Sequence, residues 1–434
     1  MDPGCSFFVR PGYLGYNSSV KPFLTCLLAS LSSFATSHDL RQCYDKALKI
    51  NEAVLISELE IQKAEYQKKQ TLSGALPRLS YRHDIFWQEK TQTGTGVGTA
   101  FTRSPLPEGR FNVNLPLFRG LTEWYAVETG KDYVEQRREE KRFLELDTFS
   151  RIAEPYFDVL LLQKNLELTD RALKLSDDRL RELTKFIRLG RSRRSESLEL
   201  ENQINQLRNQ RVQFGAQIQS GLANLSSLVG EPIAELAPIE DFLSHRPTDR
   251  AAIQLDQRQD LMARETAVDV ARGAVRSIRT EHLPGVDANF NYYTQRSGIR
   301  EGIDWDFNLG IFVPLYGFGN TRDRVQEAVA SLKQAELALS QARREARLEV
   351  DRIWNDLSAS VERLPMAERS VSLTRDNYQM QEREYRLGLV NNFQVLDALQ
   401  RNLDAEIDFE RLKLEASFQV IRLYLAQGRL PPGA

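Results

Sequence analysis

The chain is written twice. Arg188-Leu189-Gly190 recurs 198 residues later as Arg386-Leu387-Gly388, and Pro116-Leu117-Phe118 recurs at the same offset as Pro314-Leu315-Tyr316. Ala75-Leu76-Pro77 has its counterpart in His282-Leu283-Pro284 at an offset of 207, so the first half carries the longer loop between its two strands. One offset shared by two distant landmarks marks a duplicated supersecondary unit. Each copy begins with a helix, predicted over 39–73 and 249–281, and a Leu-Pro stop follows. Two strand-like segments around a polar loop come next. A very long helix is then predicted over 121–189 and 321–387, ending at a glycine as helices commonly do. After a short turn a second helix returns, over 195–229 and 393–427. The predicted organisation is a leader and preface (1–37), a first repeat (38–230), a connecting segment (231–248) and a second repeat (249–430).

A helix of about 67 residues, at about 1.5 Å per residue, is about 100 Å long. No compact globular domain needs that. The long stretches carry coiled-coil spacing: Leu332, Leu339 and Ala346 are seven apart, as are Ala328, Ala335 and Ala342, and Ile353, Leu357, Val361 and Leu364 continue the stripe. Small alanines at such a seam permit close helix approach. Pro155 and Pro365 fall inside the two long helices and are expected to kink or interrupt them.

The strand segments alternate with period two. Phe111, Val113, Leu115 and Leu117 alternate with polar residues, as do Leu309, Ile311, Val313 and Leu315, and Val286, Ala288, Phe290 and Tyr292. Leu79, Tyr81, Ile85 and Trp87 alternate similarly, with His83 and Phe86 breaking the pattern. An apolar face opposite a polar one fits a barrel with lipid outside and water inside, or a half-buried soluble sheet. Four strands cannot close a membrane barrel, which needs about eight because open edges are intolerable in lipid. A membrane reading therefore requires oligomers: a dimer would supply eight strands, a trimer twelve. Segment 92–108 is Thr/Gly-rich, lies between two strands and is expected to be an extracellular loop.

Nothing in the charge balance argues for nucleic acid, and none is expected as a partner: 58 Lys and Arg nearly balance 60 Asp and Glu, for a formal net charge of -2. His38, His83, His245 and His282 are scattered without metal-ligand spacing, and no cofactor site is expected. No nucleophile elbow, phosphate-binding glycine loop or zinc spacing points to an enzyme. Cys5 and Cys26 lie in or before the leader, which leaves Cys43 alone and without a disulfide partner. Residues 22–35 read as a signal peptide: Lys21 supplies a positive region, 23–34 an apolar core, and Ala35-Thr36-Ser37 a cleavage site. The alternative is a buried N-terminal helix. The preface 1–20 suits a start assigned too early, with Val20 as the initiator.

Taken in order, several phrases resemble the TolC-type outer-membrane efflux channels over nearly the whole chain, from about residue 39 to 430. They are Arg258-Gln259-Asp260-Leu261 followed by Glu265, Val268, Ala271 and Leu283-Pro284; the strand-to-helix junctions 111–118 and 309–317; Gly388 with Val395-Leu396-Asp397-Ala398; and 222–230 ending in Leu-Val-Gly. The resemblance implies an α+β membrane protein. Four strands per chain would enter a trimeric twelve-stranded β-barrel in the outer membrane, and long antiparallel helices would form a coiled-coil tunnel across the periplasm. It also implies a homotrimer that docks to an inner-membrane pump through a periplasmic adaptor, as the exit duct of a tripartite efflux or type I secretion system. A coiled-coil scaffold without a channel is the rival reading, and drug, metal-ion and protein cargo all remain open.

The family closes its tunnel tip with acidic residues just after the helical turns. Counting from the turn glycines carries these onto Glu196 and Glu199 in the first half and Gln394 and Asp397 in the second, Gln394 departing from the acidic pattern. Symmetry would bring copies of each carboxylate toward one axis, where they repel one another and attract cations. Around Gly190, Arg188, Arg191, Arg193 and Arg194 crowd near Glu196, whereas Gly388 is followed by Leu389, Asn391 and Asn392. Three readings of the arginines stand: a solvated turn, an ion-pair latch that holds the tip closed, or a docking surface for the adaptor.

Overall fold

The computed structural model describes residues 38–87, 104–239, 242–297 and 302–432. The predicted leader lies outside them, as does most of the predicted extracellular loop. In chain order the elements are α1 (Leu40–Ile50), α2 (Glu52–Ser73), β1 (Arg78–Phe86), β2 (Leu106–Arg119), α3 (Thr122–Arg188), α4 (Arg194–Val229), α5 (Gln259–Arg279), β3 (Gly285–Gln295), β4 (Trp305–Phe312), α6 (Asn320–Arg386) and α7 (Asn392–Leu425). Both long helices have 67 residues and are about 100 Å long.

Three details differ from the sequence reading. The first helix is two helices. Asn51 is extended (φ -63°, ψ 110°), donates its N–H to Ala47 and uses its side chain to cap α2 at the Ala53 N–H, 2.9 Å away. The predicted helix over 249–281 starts only at Gln259. Ahead of it Asp249 caps a short 3-10 turn, and Arg258 anchors the helix start through Asp260 (2.8 Å) and Glu349 of α6 (2.7 Å). The prolines interrupt nothing: α3 runs through Pro155 and α6 through Pro365. A proline costs one backbone bond and crowds the preceding turn. Around Pro155 the neighbours hold the helix in place, with Ile152, Ala153, Tyr156 and Phe157 all buried and the Tyr156 hydroxyl donating to the carbonyls of His38 (3.0 Å) and Ala237 (2.7 Å).

The strands form one antiparallel meander in the order β1-β2-β3-β4, with β1 and β4 as its open edges. The register puts Leu79 opposite Val113, Val113 opposite Phe290 and Phe290 opposite Phe307, so that the apolar positions of all four strands share a face. β2 begins at Leu106, inside the segment expected to be loop, and β4 ends at Phe312, so Val313 and Leu315 leave the sheet.

Below the sheet α3 packs against α2 and α5, and α5 against α6; farther along, α3 pairs with α4 and α7, and α6 with α7. The main core lies midway along the long helices. There Cys43 and Tyr44 of α1, Phe149, Ile152 and Tyr156 of α3, Leu225 of α4, Ile353 of α6 and Ile421 of α7 are buried together with Leu236 and Phe242 of the connecting segment. A second cluster, Leu168, Leu183, Leu200, Ile204, Leu396 and Leu403, joins α3, α4 and α7 toward the turns. Ala328, Ala342, Ala346, Ile353 and Leu357 of the expected seam are buried.

Candidate functional site: the sheet faces and the hairpin tips

The sheet's apolar face is the exposed one. Leu79, Tyr81, Phe307, Leu309 and Ile311 are each more than half exposed, and nothing among the described residues covers them. A sheet in water folds by burying that face, so a face left bare needs another solvent or another chain. Aromatic residues stand at its two ends: Trp87, Tyr292 and Trp305 at the end away from the helices, and Phe118, Trp124, Tyr316 and Phe318 at the helix end. The opposite face is polar and internally bonded. Asn112 donates to Asn291 (2.9 Å), Asn291 to the Asp306 carboxylate (2.8 Å), and Asn114 to Asn289 (2.7 Å), a polar row of amides on β2 and β3 that ends on a carboxylate of β4. A bonded polar row of this kind suits a water-facing lumen, with each amide keeping capacity for solvent.

At the other end of the long helices the two turns share one backbone. Gly190 and Gly388 take φ of 72° and 75°, a left-handed conformation that glycine adopts without strain. The following N–H groups of Arg191 and Leu389 bond back to Phe186 and Glu384, each at 2.9 Å, closing the preceding helix in the same way.

The return helices are capped differently, and this sorts the predicted gate residues. In α7, Asn391 and Gln394 form a reciprocal capping box, each side chain meeting the other's backbone N–H at 3.1 Å. Gln394 is therefore folded back as a cap, which gives a local reason for an amide there. In α4 the equivalent cap position is Arg193, which makes no side-chain cap, and Glu196 is left free of that duty. Its carboxylate instead accepts from Ser192 (2.8 Å) and from the Tyr385 hydroxyl of α6 (3.2 Å), linking the two hairpins of one chain. Burial, with the Glu196 charge beside it, pushes the Tyr385 phenol up. Glu199 is exposed, and Asp397 pairs with Arg401 on the surface at 2.9 Å.

The four arginines do not reach these carboxylates. Arg188, Arg191, Arg193 and Arg194 are exposed, and none forms an ion pair within the chain among the described residues. Of the three readings of these arginines, the latch would need a neighbouring subunit: within one chain no ion pair among the described residues joins them to Glu196, whose Oε2 accepts from Ser192 and Tyr385.

Sequence reasoning missed the buried pin behind the tip. Arg179 of α3 is 6% exposed, donates from Nε to Asn392 Oδ1 (2.9 Å) and stacks over the Tyr385 ring. Asn392 is fully buried and also reaches the Glu196 carbonyl at 3.4 Å. The signal was present: Ala172, Ser176, Arg179 and Leu183 fall on seam spacing, as do Asn392, Leu396, Leu399 and Leu403. A polar residue on a seam position sets register at some cost in stability.

The model of the family described as outer membrane efflux protein matches residues 43–231 and 253–429. The outer membrane protein TolC of Vibrio cholerae is 24% identical over 424 residues, covering 94% of each chain. The alkaline protease secretion protein AprF of Pseudomonas aeruginosa is 24% identical over 362 residues, covering 78% of this chain and 74% of that one. Among solved structures, the outer membrane protein VceC from Vibrio cholerae superposes with a TM-score of 0.78 at 16% identity, covering 90% of this chain and 96% of that one. CusC gives the same TM-score at 18% identity, covering 91% and 93%.

Proposed function

Because the chain belongs to the outer membrane efflux protein family, we propose that it is one subunit of an outer-membrane exit duct, a trimer that carries cargo passively across the periplasm and the outer membrane. The carrying observation is the exposed apolar face of the sheet, ending in aromatic residues at both borders. Lipid is the solvent that face requires. The antiparallel meander has an even number of strands, so β4 of one subunit meets β1 of the next in antiparallel sense, and a ring of three closes with no free edge. The helices then wall a tunnel, and the paired turns gather at its periplasmic end. Glu196, Glu199 and Asp397 are the residues we assign to the constriction there, with Gln394 serving as a helix cap beside them. The turns are also the surface we assign to a periplasmic adaptor and, through it, an inner-membrane pump. Efflux and protein secretion both fit this architecture, and AprF is by name a protease secretion protein.

The coiled-coil scaffold is the weaker reading, since a scaffold in water would cover the apolar face of its sheet. Detergent extraction from outer membranes, native mass measurement and planar-bilayer recording test the proposal together. A conducting trimer is expected. A stable monomer or dimer that still conducts would sink the trimer, and extraction without detergent with no conductance would sink the channel.

A further inference from the structure

A cavity of 790 Å³ lies partway along the long helices, between Phe157 of α3, Met366 of α6 and Phe418 of α7. Small-molecule sites fall in the range of about 300–1,000 Å³. Here α7 packs against both α3 and α6, and α4 packs against α3. The cavity therefore sits in the middle of one chain's arc, off the edges at α4 and α6 where a neighbouring subunit would join. It also lies off the connecting segment. Asp408, Arg411, Glu415 and Phe418 line it from one face of α7, whereas Glu410, Lys413 and Ser417, on another face of that helix, line a separate recess with Leu236 and Ile239.

The charges of the cavity are unbalanced. Glu154, Asp158, Asp408 and Glu415 stand against Arg363 and Arg411. Arg411 pairs with Asp408 at 2.7 Å. Glu154, Asp158 and Glu415 have no ion pair or hydrogen bond among the described residues, and Arg363 alone cannot neutralise three carboxylates. Burial, then the charge of Glu154, pushes the Asp158 carboxyl up. A cation beside the two carboxylates would relieve that repulsion.

The rest of the lining narrows the cation. Among the described residues no three acidic groups converge as a shell for a metal ion, so the negative charge is spread about the cavity and not focused on a point. The interior is apolar: Leu161, Met366 and Leu412 join Phe157 and Phe418, whose rings lie 5.3 Å apart. Aromatic faces attract cations, and methionine adapts to irregular apolar shapes. A small hydrated ion would gain nothing from such walls, and an anion would meet three free carboxylates.

We propose that this cavity binds organic cations with a bulky apolar body. This rests on the channel reading, in which the connecting segment lies outside the helical wall and the cavity opens toward the lumen. Cargo of that class is then held at the wall partway along its passage.

The test uses the full chain, purified in a nonionic detergent, in equilibrium dialysis against matched micelles. The probes are tetraphenylphosphonium and tetraphenylborate, which share size, shape and apolar surface and differ in the sign of their charge. The wild type is expected to bind the phosphonium about tenfold or more tighter than the borate. The Glu154→Gln, Asp158→Asn, Glu415→Gln triple variant should lose that preference. The single Glu415→Gln variant, at an exposed site, should cut it about threefold, and it decides the matter if the triple variant does not assemble. Met366→Ala should weaken phosphonium binding and keep the preference for positive charge. Equal binding of the two ions to the wild type overturns the proposal, as does a preference that survives the carboxylate substitutions. Saturable Mg²⁺ binding that these substitutions abolish, with no preference between the organic ions, refutes it too and assigns the carboxylates to an inorganic cation. Bilayer conductance of the same wild-type preparation separates the two levels: a conducting trimer without the preference refutes the cation site alone, and a preparation that forms no channel refutes the channel.

Discussion

The Arg179 guanidinium lies 4.3 Å from the centroid of the Tyr385 ring, and through that contact a buried cation on α3 holds the end of α6. The same side chain bonds Asn392 at the start of α7, so one residue of the first hairpin grips both helices of the second. No hydrogen-bond partner for its second terminal nitrogen lies among the described residues, and burial pushes the guanidinium pKa down. The arrangement is costly and gains specificity by tying the two hairpins in one register. A desolvated cation–π contact contributes about 2 kcal/mol. Arg179→Ala is therefore expected to loosen the tip, raising single-channel conductance or open fraction and speeding amide exchange across the turns, with the oligomer intact. Unchanged exchange and conductance would remove the pin from the mechanism.

Tyr385→Phe isolates the other half of the link, because it keeps the ring under Arg179 and loses the hydroxyl bond to Glu196. The expected loss is smaller, about 1 kcal/mol. The sign of its pH dependence follows from the raised phenol. The link is fully present below the ordinary tyrosine value of about 10 and is lost as pH rises through the higher folded value. Amide exchange in the wild type should therefore accelerate at strongly alkaline pH, and the phenylalanine variant should lack that step.

The surface carboxylates and the capping amide should separate in function. Replacing Glu199 and Asp397 by alanine is expected to reduce cation selectivity and divalent block, since the exposed Asp397–Arg401 pair restrains its carboxylate by only about 0.5 kcal/mol. Gln394→Ala should leave selectivity alone and cost about 0.5–1 kcal/mol of helix stability through the lost cap. Single-channel reversal potentials and thermal midpoints measure the two effects. A selectivity change in the Gln394 variant alone would reverse the assignment.

The features with long-range periodicity were legible in the sequence. The 198-residue offset located the turns at Gly190 and Gly388, and the alternation of Phe111, Val113 and Leu115 predicted a shared apolar face. What the sequence hid were choices made by contact. Asn51 splits a helix because it can cap the next one, and Pro155 fails to break α3 because the neighbours of Tyr156 hold it. Charge proximity along the chain misled at the tip. Arg193 and Arg194 are close to Glu196 in sequence, yet Tyr385, 189 residues away, is its partner. Partners in a coiled coil are set by which face a residue occupies, and three or four residues along a helix can mean the same face or a different one.

Asp132 offers a stability test outside the membrane. It shares a recess between α3 and α5 with Glu128 and Asp269, and burial first, then the charge of Asp269, raises its pKa; Arg276 and Lys131 act the other way. A raised carboxylate favours the folded state while protonated, so its contribution is full below the ordinary value of about 4 and is lost as pH climbs through the folded value. At neutral pH the ionised group is a net cost. Asp132→Asn is expected to raise the melting temperature at pH 7, and the gain should shrink toward about pH 4. A gain that is the same at both values would point to packing and rule out charge as the cause.

Asn308 and Leu309 are adjacent on β4, both are exposed within one chain, and they point to opposite faces. In an isolated soluble subunit an arginine at either site would be a minor surface change. In a closed barrel the two sites are in different solvents. Leu309 would meet hydrocarbon, where an arginine at mid-depth costs about 2–4 kcal/mol, and Asn308 would face the watery lumen, where it costs little. Leu309→Arg is thus expected to reduce the fraction assembled as heat-resistant oligomer in outer membranes, while Asn308→Arg assembles normally and shifts conductance. The two substitutions share strand, residue type and monomer exposure, so a difference between them reports the environment of the face alone. Equal assembly of both variants would mean that the apolar face does not meet lipid, and the barrel would have to be abandoned in favour of a sheet covered by protein.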